Sequence, residues 1–176
     1  MLDIKNSVFL IIDMQEKLVK AASNSDEVVS SAQKLVEAAN ILNIPILVTE
    51  QYPKGLGKTV LDIPQNSQMF EKTSFSALNI EGLFKSLDKL NRKQILICGI
   101  ETHICVLQTA LDLIQNGFEV YLVKDASSSR TQEEHNNGVE LLKQYNVKIL
   151  STEITLFQWL KTSKHPSFKQ IQALIK

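Results

Sequence analysis

Five short runs of β-branched and other apolar residues are separated along the chain by longer stretches with helical periodicity. The runs are SVFLIID (7–13), PILVTE (45–50), QILICG (94–99), EVYLVKD (119–125) and VKILS (147–151). Their length and their apolar character on both faces predict buried strands, and apolar residues three or four apart in the intervening stretches predict amphipathic helices. Strands of this kind that are joined by helices form parallel sheets with right-handed crossovers. The sequence therefore predicts an α/β fold, a three-layer α/β/α doubly wound domain with a mainly parallel sheet.

Two regions depart from this alternation. The stretch 51–72 carries two Pro and two Gly and lacks a clean period, which predicts a long irregular connection of the kind that usually shapes a site. The tail, at about 165–176, places Phe168, Ile171 and Ile175 on one helical face. It is predicted to be an amphipathic helix that packs on its own domain or on a second subunit. The length of 176 residues fits one domain, 1–176.

The charges of the chain are balanced, with 19 Lys plus Arg and 19 Asp plus Glu. No block of like charge builds a field that would attract nucleic acid or anionic lipid, so we expect a small-molecule substrate and neither a nucleic-acid nor a membrane partner. The first apolar run is about seven residues long and ends at Asp13, which is too short for a signal peptide or a membrane span. A cytoplasmic location is expected.

Polar residues that directly follow strands are the first candidates for chemistry, because ligands of open parallel sheets bind beyond the carboxyl ends of the strands. Asp13 follows the first strand, 99–105 follows the third, and Asp125 with 127–130 follows the fourth. Cys105 lies at the start of a predicted helix, where free amides and the helix dipole are expected to lower the thiol pKa below its ordinary ~8.5. On composition alone, Cys105 is equally open to interpretation as a small buried hydrophobe, and Cys98, in mid-strand, is predicted to be core.

A nucleophilic thiol needs a proton acceptor and donors for the developing oxyanion. Asp13 is the candidate acceptor, although alone it could equally cap the turn after its strand, and Lys72 alone could be an ordinary solvated lysine. No histidine forms a convincing pair with Cys105 by sequence. The chain has no GxGxxG after a strand, no GxxxxGK[ST], no HExxH and no paired CxxC, which argues against dinucleotide, nucleoside triphosphate and zinc-protease chemistry.

The segment GIETHICV (99–106), followed by QTALDL (108–113) and Gly117, resembles the GxxTxxCV signature and helix of the isochorismatase-like cysteine hydrolases. Asp13 in LIIDMQ and Lys72 in EKTSFSAL fill the other two triad positions of that family. The resemblance spans most of the chain and implies the isochorismatase-like hydrolase fold. More narrowly, four segments are similar to the isochorismatase-domain-containing proteins: TEQYPKGLG (49–57), EKTSFSAL (71–78), DASSSR (125–130) and HPSFKQIQALIK (165–176).

The resemblance implies a mechanism as well as a fold. Cys105 would form a thioester with the acyl group of the substrate, Asp13 would move the thiol proton to the leaving group, and Lys72 would hold both and favour the thiolate. The peptide between Ile100 and Glu101 would be cis, turning the amides of Glu101 and Cys105 toward an oxyanion.

The same resemblance implies a pocket and an assembly. The pocket is expected to be lined by Gln15, Gln51, Tyr52, Phe75, Thr102 and Thr109. A partner subunit would add to it, since the family commonly forms oligomers, and we expect a homo-oligomer, either a dimer or a tetramer. No cofactor is expected. Nicotinamidases of the family bind a metal through an Asp-x-His pair after the second strand, where this chain reads Glu50-Gln51-Tyr52-Pro53, so no catalytic metal is expected and nicotinamide is a doubtful substrate.

These observations favour a cysteine-dependent hydrolase that cleaves a small-molecule amide or carbamoyl C–N bond through a Cys105 thioester. Isochorismatases proper cleave a vinyl ether and need no thiol at this position, so Cys105 favours acyl chemistry. The alternatives are an isochorismatase-type or nicotinamidase-type hydrolase, or a non-catalytic binding or scaffold protein on the same fold. A thiol redox sensor is disfavoured because no resolving cysteine is evident.

Overall fold

The centre of the computed structural model, which describes residues 1–176, is a six-stranded sheet. All neighbouring strands are parallel, and their order is β3-β2-β1-β4-β5-β6. The strands are β1 (Ser7–Ile12), β2 (Ile46–Gln51), β3 (Gln68–Lys72), β4 (Gln94–Ile100), β5 (Glu119–Ser128) and β6 (Lys148–Leu150). This sheet confirms the predicted fold class.

Eight α-helices connect and cover the strands. They are α1 (Glu16–Ala21), α2 (Ser25–Ile41), α3 (Pro53–Leu56), α4 (Glu81–Leu90), α5 (Leu107–Gln115), α6 (Gln132–Gln144), α7 (Thr152–Leu160) and α8 (Phe168–Ala173). A 3₁₀ turn, Ala77–Asn79, precedes α4, and a π-helical turn, Thr102–Val106, precedes α5. No helix combines the length and the hydropathy that a membrane crossing requires.

The helices form two layers because each central strand buries both of its faces. Phe9 and Ile11 of β1 belong to the core that lies under α2, α7 and α8, and Leu10 and Ile12 belong to the core under α4, α5 and α6. All six residues of β1 are buried. Such two-sided burial explains why the central strands read as continuous apolar runs instead of alternating ones.

The structure contains elements that were not predicted, among them the short helices α1 and α3. The stretch 51–72, expected to be irregular throughout, ends in the edge strand β3. QMFEK was not apparent as a strand because most of its side chains are exposed, so it is not an apolar run. Helix α7, which buries Trp159, was not predicted. The predicted tail helix corresponds to α8, and its Ile171 is buried in the core of the same chain.

The strand order places a crevice at the middle of the sheet. Successive strands are added outward from β1 in one direction and from β4 in the other, so β1 and β4 are neighbours whose carboxyl ends diverge into different connections. At this point Ile12 is the register partner of Gly99. Gly99 has φ +140°, and a Cβ there would lie 2.0 Å from the carbonyl oxygen of Ile12, so only glycine permits this close approach.

Candidate active site

The three predicted catalytic residues meet at the carboxyl edge of the sheet. Asp13 directly follows β1, Lys72 is the last residue of β3, and Cys105 lies in the π-helical turn between β4 and α5. The Nζ atom of Lys72 lies 2.6 Å from Oδ2 of Asp13, and both side chains are completely buried. The charges of both side chains act on the nearby Cys105 thiol. The structure thus brings together residues that are far apart in sequence.

Asp13 is held in place through its backbone and through one carboxylate oxygen. Its φ of +50° is in the left-handed region, which Asp tolerates better than most residues, and its N–H donates to the carbonyl of Thr49 at 3.1 Å. Oδ1 accepts a hydrogen bond from the Thr49 hydroxyl at 2.7 Å. Oδ2 faces the Lys72 ammonium but accepts no aligned hydrogen bond from the protein. A lone pair on Oδ2 is therefore available to receive a proton.

The Lys72 ammonium is enclosed by oxygen atoms in addition to its carboxylate partner. Nζ donates to Oε1 of Gln51 at 2.6 Å and to the carbonyls of Ser74 at 3.2 Å and Phe75 at 3.0 Å. Burial of a charge is costly unless the charge is paired and hydrogen-bonded, and here it is both. The contacts fix the position of the positive charge beside Asp13 and Cys105.

The Cys105 thiol is protonated in the resting site. Burial raises its pKa from the ordinary 9.0 to about 12, the negative charge of Asp13 adds to the increase, and Lys72 opposes it. The expectation that the helix start lowers this pKa is therefore wrong, because desolvation and the neighbouring carboxylate outweigh the effects that favour a thiolate.

The loop between β4 and the π-helical turn is tied down around Glu101. The Ile100–Glu101 peptide bond is cis. The Glu101 carbonyl accepts hydrogen bonds from the amides of Ile104 at 3.1 Å and Val106 at 3.2 Å. Its carboxylate accepts from Nε and the backbone N–H of Arg130, at 2.9 and 3.2 Å. Both the backbone and the side chain of Glu101 thus hold the segment that leads to Cys105.

Two of the residues expected to line the pocket are hydrogen-bonded to the protein around Cys105. Thr102 and Thr109 are fully buried. Thr109 donates to the Cys105 carbonyl at 2.6 Å and accepts from the Ala77 amide at 3.0 Å. Thr102 donates to the carbonyl of Ser128 at 3.1 Å. Their hydroxyl groups are hydrogen-bonded within the protein, so they support the turn that carries Cys105.

Gln15, also expected in the pocket, is likewise bound to the protein. Its side chain is also fully buried, and Nε2 donates to the carbonyls of Gln51 at 3.0 Å and Gly57 at 2.7 Å, while Oε1 accepts from the Gln51 amide at 2.7 Å. Every polar group of the Gln15 amide is used to fasten the loop that follows β2. It therefore positions Gln51, whose own amide oxygen binds Lys72.

The remaining predicted pocket residues lie at the surface around Lys72. Tyr52 is 56% exposed and Phe75 is 53% exposed, and Gln51 is half-buried between them and the ion pair. Tyr52 and Lys72 both line a cleft of about 480 Å³. No three His, Cys, Asp or Glu side chains come together as a metal site would require.

One hydrogen bond of Asp13 was not predicted from the sequence. The Thr49 hydroxyl anchors Asp13, and Thr49 is the register partner of Ile12, the last residue of β1. A threonine near the end of the otherwise apolar run PILVTE could have indicated this contact, because the carboxyl ends of neighbouring parallel strands lie side by side.

Comparison with known proteins places this arrangement in a family. The isochorismatase domain matches residues 7–154. Isochorismatase domain-containing protein 2 of Danio rerio is 42% identical over 177 residues, covering 99% of this chain and 89% of the relative. The MAR1 ribonuclease of Caenorhabditis elegans has a structure with a TM-score of 0.94 at 36% identity, covering 99% of this chain and 91% of that one. The YcaC gene product of Escherichia coli, described as an octameric hydrolase of unknown specificity, shares the fold with a TM-score of 0.89 at 20% identity, covering 98% and 94%. The chain belongs to the isochorismatase family of hydrolases, within the isochorismatase domain-containing subgroup.

Proposed function

We propose that this protein hydrolyses the C–N bond of a small-molecule amide or carbamoyl compound through a Cys105 acyl-enzyme. The observation that carries the proposal is the fully buried Lys72–Asp13 ion pair, 2.6 Å between Nζ and Oδ2, whose charges act on the nearby Cys105 thiol. A nucleophile, a proton acceptor and a fixed positive charge placed together are the components that thiol-based acyl transfer requires.

The first half-reaction forms the thioester. As the Cys105 sulfur attacks the carbonyl carbon, the thiol proton moves to Oδ2 of Asp13, which has a free lone pair. The backbone amides of Glu101 and Cys105 are the proposed donors to the developing oxyanion. When the tetrahedral intermediate collapses, the C–N bond breaks and Asp13 returns the proton to the leaving nitrogen. The amine departs and a Cys105 thioester remains.

The second half-reaction consumes water. The Asp13 carboxylate accepts a proton from a water molecule as the water oxygen attacks the thioester carbon, and the C–S bond then breaks. The departing sulfur takes the proton back, and a carboxylic or carbamic acid is released. Lys72 keeps its proton throughout, and its fixed positive charge stabilises the sulfur when negative charge develops there.

The surroundings of Cys105 limit the substrate. The residue is only 6% exposed, which favours a small or slender acyl group. Tyr52 and Phe75 are the exposed aromatic groups that we assign to the outer wall, with Gln51 between them and Lys72. A homo-oligomer whose partner subunit completes this wall is part of the proposal, in keeping with the octameric description of Escherichia coli YcaC.

RNA hydrolysis is the second candidate, because the similar protein from Caenorhabditis elegans is described as a ribonuclease. Two properties of this chain favour amide hydrolysis over RNA hydrolysis. Its formal net charge is zero, whereas binding to a phosphate backbone draws on an excess of Lys and Arg. A buried thiol that passes its proton to a carboxylate also suits acyl transfer better than attack on a phosphodiester.

A single panel distinguishes the two candidates. Wild-type protein, Cys105→Ala and the matched control Cys98→Ala are incubated with small amides and carbamoyl compounds, and separately with single-stranded RNA. We expect amine or ammonia release together with a mass increase on Cys105 equal to the acyl group, in the wild type and Cys98→Ala only. Cleavage of RNA that depends on Cys105, without any acyl adduct across the amide panel, would reverse the order of the two candidates.

A further inference from the structure

A polar cleft of about 410 Å³ lies beyond the carboxyl end of β6, between the first turns of α2 and α6. None of Asp13, Lys72 and Cys105 lines it. Its floor includes the buried side chains of Ser127, Ser128 and His135. Its rim includes the exposed side chains of Glu27, Lys124 and Asp125. The volume falls in the range of sites that hold small ligands.

The ring of His135 is oriented so that one nitrogen is left without a protein partner. His135 is only 4% exposed, and its Nδ1 lies 2.9 Å from the Thr102 hydroxyl oxygen. The single hydroxyl hydrogen of Thr102 is donated to the Ser128 carbonyl, so Nδ1 carries the hydrogen of the Nδ1···Oγ1 bond. Nε2 has no hydrogen-bond partner in the protein, and His135 is among the residues that line the cleft. Its lone pair is therefore available to a ligand in the cleft.

A ligand at Nε2 has to donate a hydrogen bond. Burial lowers the pKa of His135 and the positive charge of Lys124 lowers it further, so the ring stays neutral and Nε2 remains an acceptor. An anion, which offers acceptors only, finds no donor on this ring.

The charges of the rim favour a cation. Two carboxylates, Glu27 and Asp125, and one ammonium, Lys124, give a formal charge of −1. Oδ1 of Asp125 accepts hydrogen bonds from the amide and hydroxyl of Thr152, at 2.8 and 3.1 Å, and Oδ2 makes none. From these observations we propose that the cleft is a second small-molecule site, and that it binds a small organic ammonium ion whose N–H donates to Nε2 of His135.

Hydrogen bonds connect this site to the loop that carries Cys105. His135 binds Thr102, the first residue of the π-helical turn. The Gly99 amide donates to the hydroxyl of Ser127 at 3.3 Å, which fixes the end of β4 to the floor of the cleft. We therefore expect a ligand in the cleft to perturb the turn around Cys105 through Thr102. The site does not depend on the proposed amide hydrolysis.

The first experiment is NMR titration of protein labelled with ¹⁵N in its histidine rings and backbone. Propylamine, which is an ammonium ion at pH 7, is the probe, and tetramethylammonium, which has the charge but no N–H, is the matched control. We expect propylamine to shift Nε2 of His135 saturably, leaving the rings of His103 and His165 unchanged, and to shift the amides of Thr102 and Cys105 with the same saturation curve. Tetramethylammonium is expected to leave Nε2 of His135 unchanged.

Surface variants test the assignment without disturbing the core. Glu27→Gln removes a negative rim charge and should weaken propylamine binding, whereas Lys124→Gln removes the positive charge and should strengthen it, each by roughly 1.5- to 5-fold, as expected for exposed charges. Lys143→Gln, on α6 outside the cleft, should leave the affinity unchanged. The site is refuted if Nε2 does not shift or shifts equally with tetramethylammonium, or if the two rim variants change the affinity in the same direction. Transmission to Cys105 is refuted if the Thr102 and Cys105 amides do not move.

Discussion

Removal of the Lys72 charge should destabilise the protein strongly. In Lys72→Met the aliphatic volume is nearly kept, but the negative charge of Asp13 stays completely buried without its partner. Loss of one member of a buried ion pair costs about 3 to 5 kcal/mol, which is a large part of the ~5 to 15 kcal/mol that separates folded from unfolded domains. Urea denaturation at pH 7, followed by far-ultraviolet circular dichroism, measures this loss as a fall in the free energy of unfolding.

A double-mutant cycle isolates the ion pair from other effects of the substitution. Asp13→Asn keeps an oxygen acceptor for Thr49, and the Lys72 ammonium keeps its three uncharged acceptors. The double variant buries no charge, so its loss should be smaller than the sum of the two single losses by at least about 2 kcal/mol.

The matched control is Lys85→Met, whose ion pair with Glu81 is exposed, at 72% and 82% of the two side chains. It should change the free energy of unfolding by no more than about 1 kcal/mol. If Lys72→Met costs as little as Lys85→Met, or if the two single losses simply add, Asp13 is not an uncompensated buried anion in the variant and the description of the site fails.

Three further predictions concern the thiols and the glycines. Alkylation of Cys105 by iodoacetamide should be slow at pH 7 and become faster as the pH rises. Asp13→Asn should accelerate the alkylation, because the carboxylate that helps to raise the thiol pKa is replaced by a neutral amide. An unchanged or slower rate in Asp13→Asn would contradict this role of the carboxylate. The pKa values of Cys98 and Cys105 are both raised in the folded protein. Their contribution to the free energy of unfolding is therefore complete below pH ~9. Above that pH it is lost, at up to about 1.4 kcal/mol per pH unit for each thiol. Urea denaturation between pH 8 and 10.5 should show a shallower loss in Cys98→Ala, and an equal slope would be evidence against a raised pKa. Gly99→Ala should prevent soluble expression, since its Cβ would overlap the backbone of β1, whereas Gly117→Ala, also at positive φ but with no atom within 4 Å, should lower the free energy of unfolding by only about 1 kcal/mol.

The sheet could be predicted because its central strands are buried on both sides and therefore stand out as apolar runs. Strand β3 could not, since an edge strand such as QMFEK need not show that pattern. Asp13 and Cys105 were indicated by their positions after β1 and β4. Lys72 was indicated only by resemblance, because its burial depends on an ion pair with a residue 59 positions earlier in the chain.

The pocket residues show a different limit of sequence reasoning. Gln15, Thr102 and Thr109 have the side chains that a ligand site uses, yet all three bind protein amides or carbonyls. A polar residue near an active site forms hydrogen bonds either with a ligand or with the backbone of the surrounding loops. The spacing of residues along the chain does not distinguish these two roles. The hydroxyl of Thr109 illustrates this, because it fixes the very turn on which Cys105 lies.

A resting thiol with a pKa of about 12 is consistent with nucleophilic catalysis once the destination of its proton is considered. Relative to an ordinary thiol at 9.0, the shift corresponds to about 4 kcal/mol against ionisation into solvent. In the proposed reaction the proton passes to Asp13, so the anionic charge that opposes the thiolate disappears as the sulfur becomes nucleophilic. Lys72 is then left beside the sulfur without a competing carboxylate. Burial and this carboxylate thus together keep Cys105 protonated, and hence less open to oxidation, and in the proposed reaction neutralisation of the carboxylate would leave Lys72 as a partner for the developing charge.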